Sequence, residues 1–365
     1  MLRDLADLLP KLTQSPGAPA DTYPTGAVQS LYEADIIIAP FATHFGGESA
    51  TLRDAAAAVR ELASASPSLA LIASMPLGLA GMYGAHIEAI PTAHRDGWNA
   101  QSEQIAANYR AHELYAACNS EKGAGGSLAA TRTLATRGPD SVFRLTGEKI
   151  LATSGRFATH FFSTAKVDPA DLPRAGVVEF FFVSTHAPGV EILEDWDGFG
   201  MRSTESQTVR YTGALVTDLV GFPNLIEVLQ PLQYWYCLFA AIPLGCAWAV
   251  LRELSIPASQ SPALNLRLAE ATMRLEALTA YVDQVASEWR PGAGAAYAAR
   301  VLRMKTYVTQ ESTKLCAELF ALAGGRHYRR TSRVANLLAD AFAGTALRPP
   351  LSLALETLSE TFALD

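Results

Sequence analysis

Hydrophobic positions recur every three or four residues over roughly the first hundred residues, as in the Ala-rich segment from Leu52 to Ala65. This spacing is typical of amphipathic helices. Prolines at positions 16, 67, 76 and 91 should divide the segment into short helices, because proline interrupts helical hydrogen bonding. The pattern predicts an N-terminal helical domain over residues 1–113.

The spacing changes to alternation near Tyr115, and β-branched or aromatic residues then alternate with polar ones to about Val220. Turn signals separate these segments at Gly138-Pro139, Asp168-Pro169, Pro188-Gly189 and Asp197-Gly198. Short alternating segments between such turns are typical of antiparallel strands. We therefore predict a compact antiparallel β domain, a barrel or sandwich, over residues 114–222.

Helical spacing returns after Pro223 in four long segments, at about 224–255, 263–290, 295–323 and 331–345, with a loop at 255–262. Four such segments predict a C-terminal four-helix bundle over residues 223–365. The predicted fold class is α+β, with helices, then strands, then helices.

One uncharged segment, from Tyr234 to Leu251, approaches the roughly 18–20 residues that a membrane span requires. It contains Pro243 and Gly245 and lacks basic flanks, so we predict a helix buried on all sides rather than a span. Near the N-terminus, Asp4 and Asp7 interrupt any signal-peptide core, so secretion is not indicated.

Composition narrows the class of protein. With 365 residues and 49% hydrophobic content, the chain can bury a large core in two or three domains. The net charge of −7 argues against nucleic-acid or anionic-membrane partners. The four cysteines each lie in an apolar segment, which indicates buried thiols in a reducing cytoplasm.

Common catalytic motifs are missing from the sequence. There is no GxSxG elbow, no GxxxxGK[ST] loop and no HExxH pair among the seven histidines. Hydrolase and nucleotide-triphosphatase functions therefore lack support, and no metal site is expected.

The strongest local signal is the Gly-rich stretch from Cys118 to Ser127, which has three glycines within four positions at the start of the β domain. Glycines allow a tight turn that brings backbone N–H groups toward flavin or phosphate oxygens. An ordinary Gly-rich turn is the alternative interpretation of this stretch taken alone.

Its context resembles the acyl-CoA dehydrogenase superfamily. The stretch is similar to the family motif TEPGAGSD at Ser120, Glu121, Gly123, Ala124 and Gly125. Further matches follow in the family's order, and they cover nearly the whole chain. They are the 39–47 segment (PxxxGG), 149–155 (KxWITNG), 200–206 (GMRxTxS), Pro243-Leu-Gly and 324–328 (GGxGY).

The resemblance implies a flavin site. Asn119, Ser120 and Gly125 would lie along the isoalloxazine ring of FAD, or of FMN. Leu151 stands where the family has a tryptophan that covers the ring, and the Thr153 hydroxyl would lie near flavin N5, although Thr153 also fits as an ordinary strand residue.

Gly324 and Gly325 would contact the cofactor through the GGxGY element. Gly126, Ser127 and Trp235 occupy family positions where we expect contact with substrate.

The chain departs from the family at the catalytic base. The family's glutamate corresponds to Ala343, or to Arg348 by an ungapped count from Tyr328. The alternative glutamate position in the first bundle helix is Trp235, so the catalytic residue stays unassigned. None of these side chains can act as the carboxylate base that α-proton removal requires.

Cofactor contacts also differ. No RxFG element follows Leu254, and Ala321 replaces an expected glutamine. Charged or bidentate contacts are worth about 1.5–3 kcal/mol each, so weak flavin binding is expected.

Three functional hypotheses follow. The first is an acyl-CoA dehydrogenase-like flavoprotein oxidoreductase with an atypical or missing base, acting on an acyl thioester or related small molecule. The second is a two-component flavin monooxygenase on the same fold, which needs no α-proton base. The third is a non-catalytic binding or assembly paralogue.

The family resemblance also implies partners. These are a small-molecule substrate such as acyl-CoA, and an electron-transfer flavoprotein or flavin reductase. The apolar first bundle helix favours a homodimer or homotetramer.

Overall fold

Helices, strands and then helices follow one another along the chain, as the α+β prediction requires. This computed structural model describes residues 2–13, 21–255 and 262–362. Pro16 and most of the predicted loop at 255–262 lie outside the described residues.

The N-terminal region consists of helices joined by short turns. They are α1 (Leu2–Thr13), α2 (Thr25–Glu33), α3 (Leu52–Ala65), α4 (Pro67–Tyr83) and α5 (Arg95–Arg110). Thr51 and Asp54 form a capping box that starts α3, because each side chain accepts a hydrogen bond from the other residue's backbone N–H.

The prediction that Pro76 ends a helix is wrong, since α4 continues through it. Every residue of α4 is buried, and the helix packs against α3 and α7 (Leu232–Ser255). Packing on all sides outweighs the roughly 3 kcal/mol that an internal proline costs.

The central region forms one curled sheet of eight strands. They are β1 (Tyr115–Cys118), β2 (Leu134–Arg137), β3 (Phe143–Ala152), β4 (His160–Val167), β5 (Glu179–Ser184), β6 (Val190–Ile192), β7 (Gln207–Leu215) and β8 (Asp218–Leu219). The strand order is β6-β7-β3-β2-β4-β5-β8, with β1 beside β4.

Most of these pairings are antiparallel, but β4 pairs in parallel with both β1 and β2. The purely antiparallel prediction is wrong at these two ladders. Long connections, rather than hairpins, bring β4 beside the two earlier strands, and such connections permit parallel pairing.

The two faces of β4 and β5 are buried in different cores. Phe161 and Phe181 pack inside the β domain, whereas Phe162 and Phe180 belong to the large core shared with the helices. This follows from the two-residue period of a strand, and it sets an aromatic wall against the bundle.

The C-terminal region begins with α6 (Leu225–Leu229) and the long helix α7. The other helices are α8 (Pro262–Ser287), α9 (Ala295–Leu322), α10 (Arg333–Ala341), α11 (Ala343–Ala346) and α12 (Leu351–Phe362). The predicted helix at 224–255 is broken at Gln230, which has a left-handed φ of 51°. The following Pro231 disfavours the helical conformation at Gln230.

The predicted fourth helix at 331–345 is two short helices, α10 and α11. The two helices are separated at Phe342. Gly344 lies within α11, where a Cβ atom would lie 2.8 Å from Pro243.

Within the described residues, α7 is the one helix long and apolar enough to cross a membrane, and 89% of its apolar window is buried inside the chain. Its neighbours α3, α4, α8, α9 and α10 account for that apolar surface. The apolar character of α7 therefore gives no separate argument for an oligomer. All four cysteines are buried and unpaired, as predicted.

Candidate functional site

A cavity of about 340 Å³ lies where the aromatic wall of the sheet meets α7 and the turn between α11 and α12. This volume falls in the roughly 300–1,000 Å³ range of small-molecule sites. Its apolar lining includes Leu71, Met75, Phe162, Phe180, Trp196, Phe199, Trp235, Phe239 and Phe342. Its polar lining is Asn119, Ser120, Thr153, Ser206, Tyr236 and Arg348. Among the described residues, no aspartate, glutamate or histidine lines this cavity.

A β-bulge builds one wall of the cavity. The register of β3 against β7 shifts between Lys149 and Ala152, and the Ile150 N–H instead donates to the Ser120 carbonyl at 2.8 Å. Leu151 has a left-handed φ of 59°, and 49% of it is exposed. Because bulges re-aim side chains, the Leu151 side chain lines the cavity although the residue lies within β3.

The Gly-rich loop is fixed to β3 by a buried ion pair. Lys149 Nζ lies 2.6 Å from Glu121 Oε1, and both side chains are almost fully buried. Glu121 also accepts hydrogen bonds from Arg132 N at 2.6 Å and from the backbone N–H and hydroxyl of Thr133. Burial alone would raise the pKa of Glu121, but Lys149 and Thr133 lower it, so the carboxylate form is favoured.

Hydroxyl groups continue from Thr153 into the turn after β6. Thr153 Oγ1 lies 3.2 Å from Ser206 Oγ, which lies 2.7 Å from Thr204 Oγ1. Thr204 donates to the Met201 carbonyl at 2.8 Å. The Thr153 hydroxyl therefore borders the cavity at the end of a hydrogen-bonded chain.

Five of the residues predicted for the site come together here. Asn119, Ser120, Leu151, Thr153 and Trp235 all line the cavity. Trp235 is buried against α4, where a Cβ atom on Gly78 would lie 2.1 Å from its ring.

The other predicted residues lie outside this cavity. Gly125 and Gly126 have left-handed φ values of 57° and 84° in the loop, and Gly126 packs so closely on Pro350 that a Cβ atom would lie 2.3 Å away. Ser127 closes the loop by donating its N–H to the Ala124 carbonyl at 3.0 Å. Gly324 and Gly325 are exposed beyond the end of α9.

Arg348 also lines the cavity, although the sequence predicted no binding role for it. Its Nη2 donates to the Asn119 carbonyl at 3.1 Å, while its Nη1 is buried without a hydrogen-bond partner. Burial lowers the pKa of Arg348. The sequence signal at this position was the ungapped count from Tyr328, which aligns Arg348, rather than Ala343, with the family's glutamate. The aromatic residues Trp196, Phe199, Tyr236 and Phe342 carried no such signal.

A second, more open cavity of about 870 Å³ shares Phe199, Gly200 and Ala339 with the first. Its lining is basic and includes Arg202, Arg329, Arg330 and Arg333. Arg202 forms an ion pair with Asp21 and Arg333 with Glu253.

Asp340 borders this second cavity. Its Oδ1 accepts from Met201 N at 2.6 Å, and burial raises its pKa to about 6.

Two family models match the chain. The acyl-CoA dehydrogenase middle domain matches residues 116–214, and the acyl-CoA dehydrogenase C-terminal domain matches residues 238–347. The chain is 27% identical over 237 residues to the amino sugar nitrososynthase DnmZ of Streptomyces peucetius. That match covers 60% of this chain but only 58% of the nitrososynthase.

Solved structures share the fold. KijD3 in complex with FMN and dTDP-3-amino-2,3,6-trideoxy-4-keto-3-methyl-D-glucose has a TM-score of 0.81 at 22% identity, over 100% of this chain and 93% of that one. Butyryl-CoA dehydrogenase from Megasphaera elsdenii has a TM-score of 0.83 at 20% identity, over 99% and 97%. At these identities the comparison establishes the fold alone.

Proposed function

Because the chain belongs to the acyl-CoA dehydrogenase superfamily, we propose that its cavity binds a flavin ring and that the enzyme is a two-component flavin monooxygenase. A partner reductase supplies the reduced flavin, and a small organic molecule is oxidised. A bound reduced flavin would supply the electrons that activate molecular oxygen.

The observation that carries this proposal is the lining of the cavity. A dehydrogenase needs a carboxylate within hydrogen-bond reach of the substrate α-carbon. The described lining has no acidic side chain. It includes both Ala343 and Arg348, the two alternative counterparts of the family's glutamate, and neither is a carboxylate. Oxygen activation requires no α-proton base, so this lining suits monooxygenation.

The residues present fit a flavin ring. Aromatic side chains border a cavity whose polar edge consists of Ser120, Thr153 and the bulge at Leu151. Thr153 would donate its hydroxyl to the ring, because Ser206 and Thr204 can satisfy each other without it. The arginines of the second cavity would hold the phosphate end of the flavin.

The names of two similar proteins support flavin-dependent oxidation. One is a nitrososynthase, and one was solved with FMN and an amino sugar nucleotide. FMN is therefore as suitable a cofactor as FAD here, and loose binding accords with the missing RxFG element.

An acyl-thioester dehydrogenase is the second candidate, and Asp340 is the observation that favours it. Its carboxyl lies beside lining residues Met201 and Ala339, with a pKa raised to about 6 by burial. Such a group is a relocated base for this reaction, and an electron-transfer flavoprotein would then be the partner.

We also propose a homo-oligomer in the cytoplasm. Leu266 and Met273 lie two helical turns apart on α8 and are 62% and 63% exposed, an apolar stripe that a second copy would cover. The four buried thiols are typical of a reducing compartment.

Purified protein tests the proposal. Anaerobic titration should give tighter binding of reduced than of oxidised FMN or FAD, and oxygen should then be consumed. Thr153→Val should weaken reduced-flavin binding about 2- to 10-fold, the equivalent of one hydrogen bond. Thr136→Val, at an exposed strand position, is the matched control.

Two results would contradict the proposal. Anaerobic bleaching of bound flavin by butyryl-CoA would favour the dehydrogenase, and loss of that bleaching in Asp340→Asn would identify its base. Failure to bind flavin in either redox state would leave the non-catalytic paralogue.

A further inference from the structure

Arg348 carries a charge at the cavity that no carboxylate in residues 2–13, 21–255 or 262–362 pairs with. It lies between α11 and α12, and its Nη2 makes one hydrogen bond, to the Asn119 carbonyl. Nη1 is buried without a partner. No carboxylate of the described residues forms an ion pair with it. A partly buried guanidinium whose Nη1 has no acceptor among the described residues, and which lines a cavity, is suited to bind an anion.

The nearby charges increase this imbalance. Glu121 is the acidic group whose field reaches Arg348, but its carboxylate already pairs with Lys149 at 2.6 Å. Glu121, Lys149 and Arg348 together carry one negative and two positive charges. Tyr236 also faces Arg348, and burial raises the pKa of that phenol, so it stays neutral.

The turn that carries Arg348 is held by a second buried cation. Lys305 Nζ on α9 donates to the carbonyls of Gly344, Leu347 and Pro349 at 3.0, 2.8 and 2.8 Å. Three acceptors match the three donors of an ammonium group. Arg348 is therefore presented from a fixed turn. Burial lowers the pKa of Lys305 to about 7, while its three carbonyl acceptors favour the charged form.

The remaining surface of the cavity selects the body of the ligand. Phe162, Trp235 and Phe239 form a wall with few polar atoms beside Arg348. A ligand that satisfies both features has a flat apolar body and one oxyanion.

We propose that Arg348 is a specificity-determining residue that binds the carboxylate, or an equivalent oxyanion, of an aromatic or otherwise flat apolar substrate. This inference rests on the proposed function only in taking the molecule bound at Arg348 to be the substrate that is oxidised.

Calorimetric titration with 2-naphthoate and 2-naphthamide tests this. The two probes share size and shape but differ in charge, and the full-length protein is used with and without FMN. Wild type should bind naphthoate at least about tenfold more tightly, which corresponds to about 1.4 kcal/mol. Arg348→Met should remove the preference, and Arg348→Lys should keep part of it. Arg303→Met, an exposed arginine on α9, should match wild type. Thermal unfolding checks that each variant folds, and Arg348→Gln replaces Arg348→Met if that variant does not.

Equal binding of the two probes to wild type would overturn the inference, and so would a preference that survives in Arg348→Met. It would also be overturned if Arg348→Met lost FMN affinity but kept the naphthoate preference, since Arg348 would then serve the cofactor. A wild-type preference lost in Arg348→Met, in a protein that binds no flavin, would support the inference while refuting the proposed function.

Discussion

Removing Lys149 should destabilise the protein more than removing any surface charge. In Lys149→Met the carboxylate of Glu121 stays buried and loses the ammonium 2.6 Å away. Arg132 N and the Thr133 donors remain, but they do not cancel its charge. Breaking a buried pair on one side costs about 3–5 kcal/mol.

The double variant separates the ion pair from simple loss of packing. Glu121→Gln combined with Lys149→Met removes both charges and keeps an acceptor for Thr133. Replacing a whole buried pair is often nearly neutral, so the double variant should be more stable than Lys149→Met by about 2 kcal/mol or more.

Urea unfolding followed by both tryptophan fluorescence and circular dichroism gives the free energies, provided the two transitions coincide. A buried pair is poorly screened, so the loss should be similar at low and high salt. Lys122→Met, an exposed lysine in the same loop, should change stability by less than about 0.5 kcal/mol. A loss below about 1 kcal/mol in Lys149→Met, or one that high salt abolishes, would refute this assignment.

Three further predictions concern the walls of the site. Gly78→Ala would place a methyl group 2.1 Å from the Trp235 ring, so we expect Trp235 to move into the cavity. The affinity for reduced flavin should then fall at least tenfold, and an unchanged affinity would show that helix α4 moves instead. Lys305→Met removes three hydrogen bonds to carbonyls of the Arg348 turn, and it should cost about 2–4 kcal/mol in urea unfolding, whereas a neutral result would mean that water replaces the ammonium. Burial raises the pKa of Asp340 from 3.8 to about 6, so the folded state binds more protons between these values and this group's stabilising contribution falls as pH rises through that window. The stability of Asp340→Asn relative to wild type, from unfolding at pH 4.5 and 7, should therefore increase with pH, and a flat difference would contradict the assigned shift.

Sequence patterns were sufficient for the layers of the fold. Helical and strand periods depend on residues that are neighbours along one element, so Leu52–Ala65 could be predicted to the residue. Prolines act on their own backbone, as at the break before Pro231 between α6 and α7, yet only the packing decided which prolines break a helix. Pro76 shows this, because its helix persists where neighbours bury every side chain.

The candidate site was predicted in part. Asn119, Ser120, Leu151 and Thr153 lie on adjoining backbone segments, so a family motif could assign them to one cavity. Gly324 and Gly325 lie outside it, so their contact to the cofactor stays a prediction.

Patterns along the chain were enough to predict the order of elements and the loss of an acidic residue at the expected position. Only the tertiary structure decided that β4 pairs in parallel with two strands, that Glu121 and Lys149 neutralise each other, and that Arg348 is left with an unneutralised charge beside an apolar wall. The strand pairings, the ion pair and the Arg348 charge all involve groups that are far apart in the chain. Their interaction energies depend on distance and burial in the folded protein, and no local sequence pattern encodes that distance.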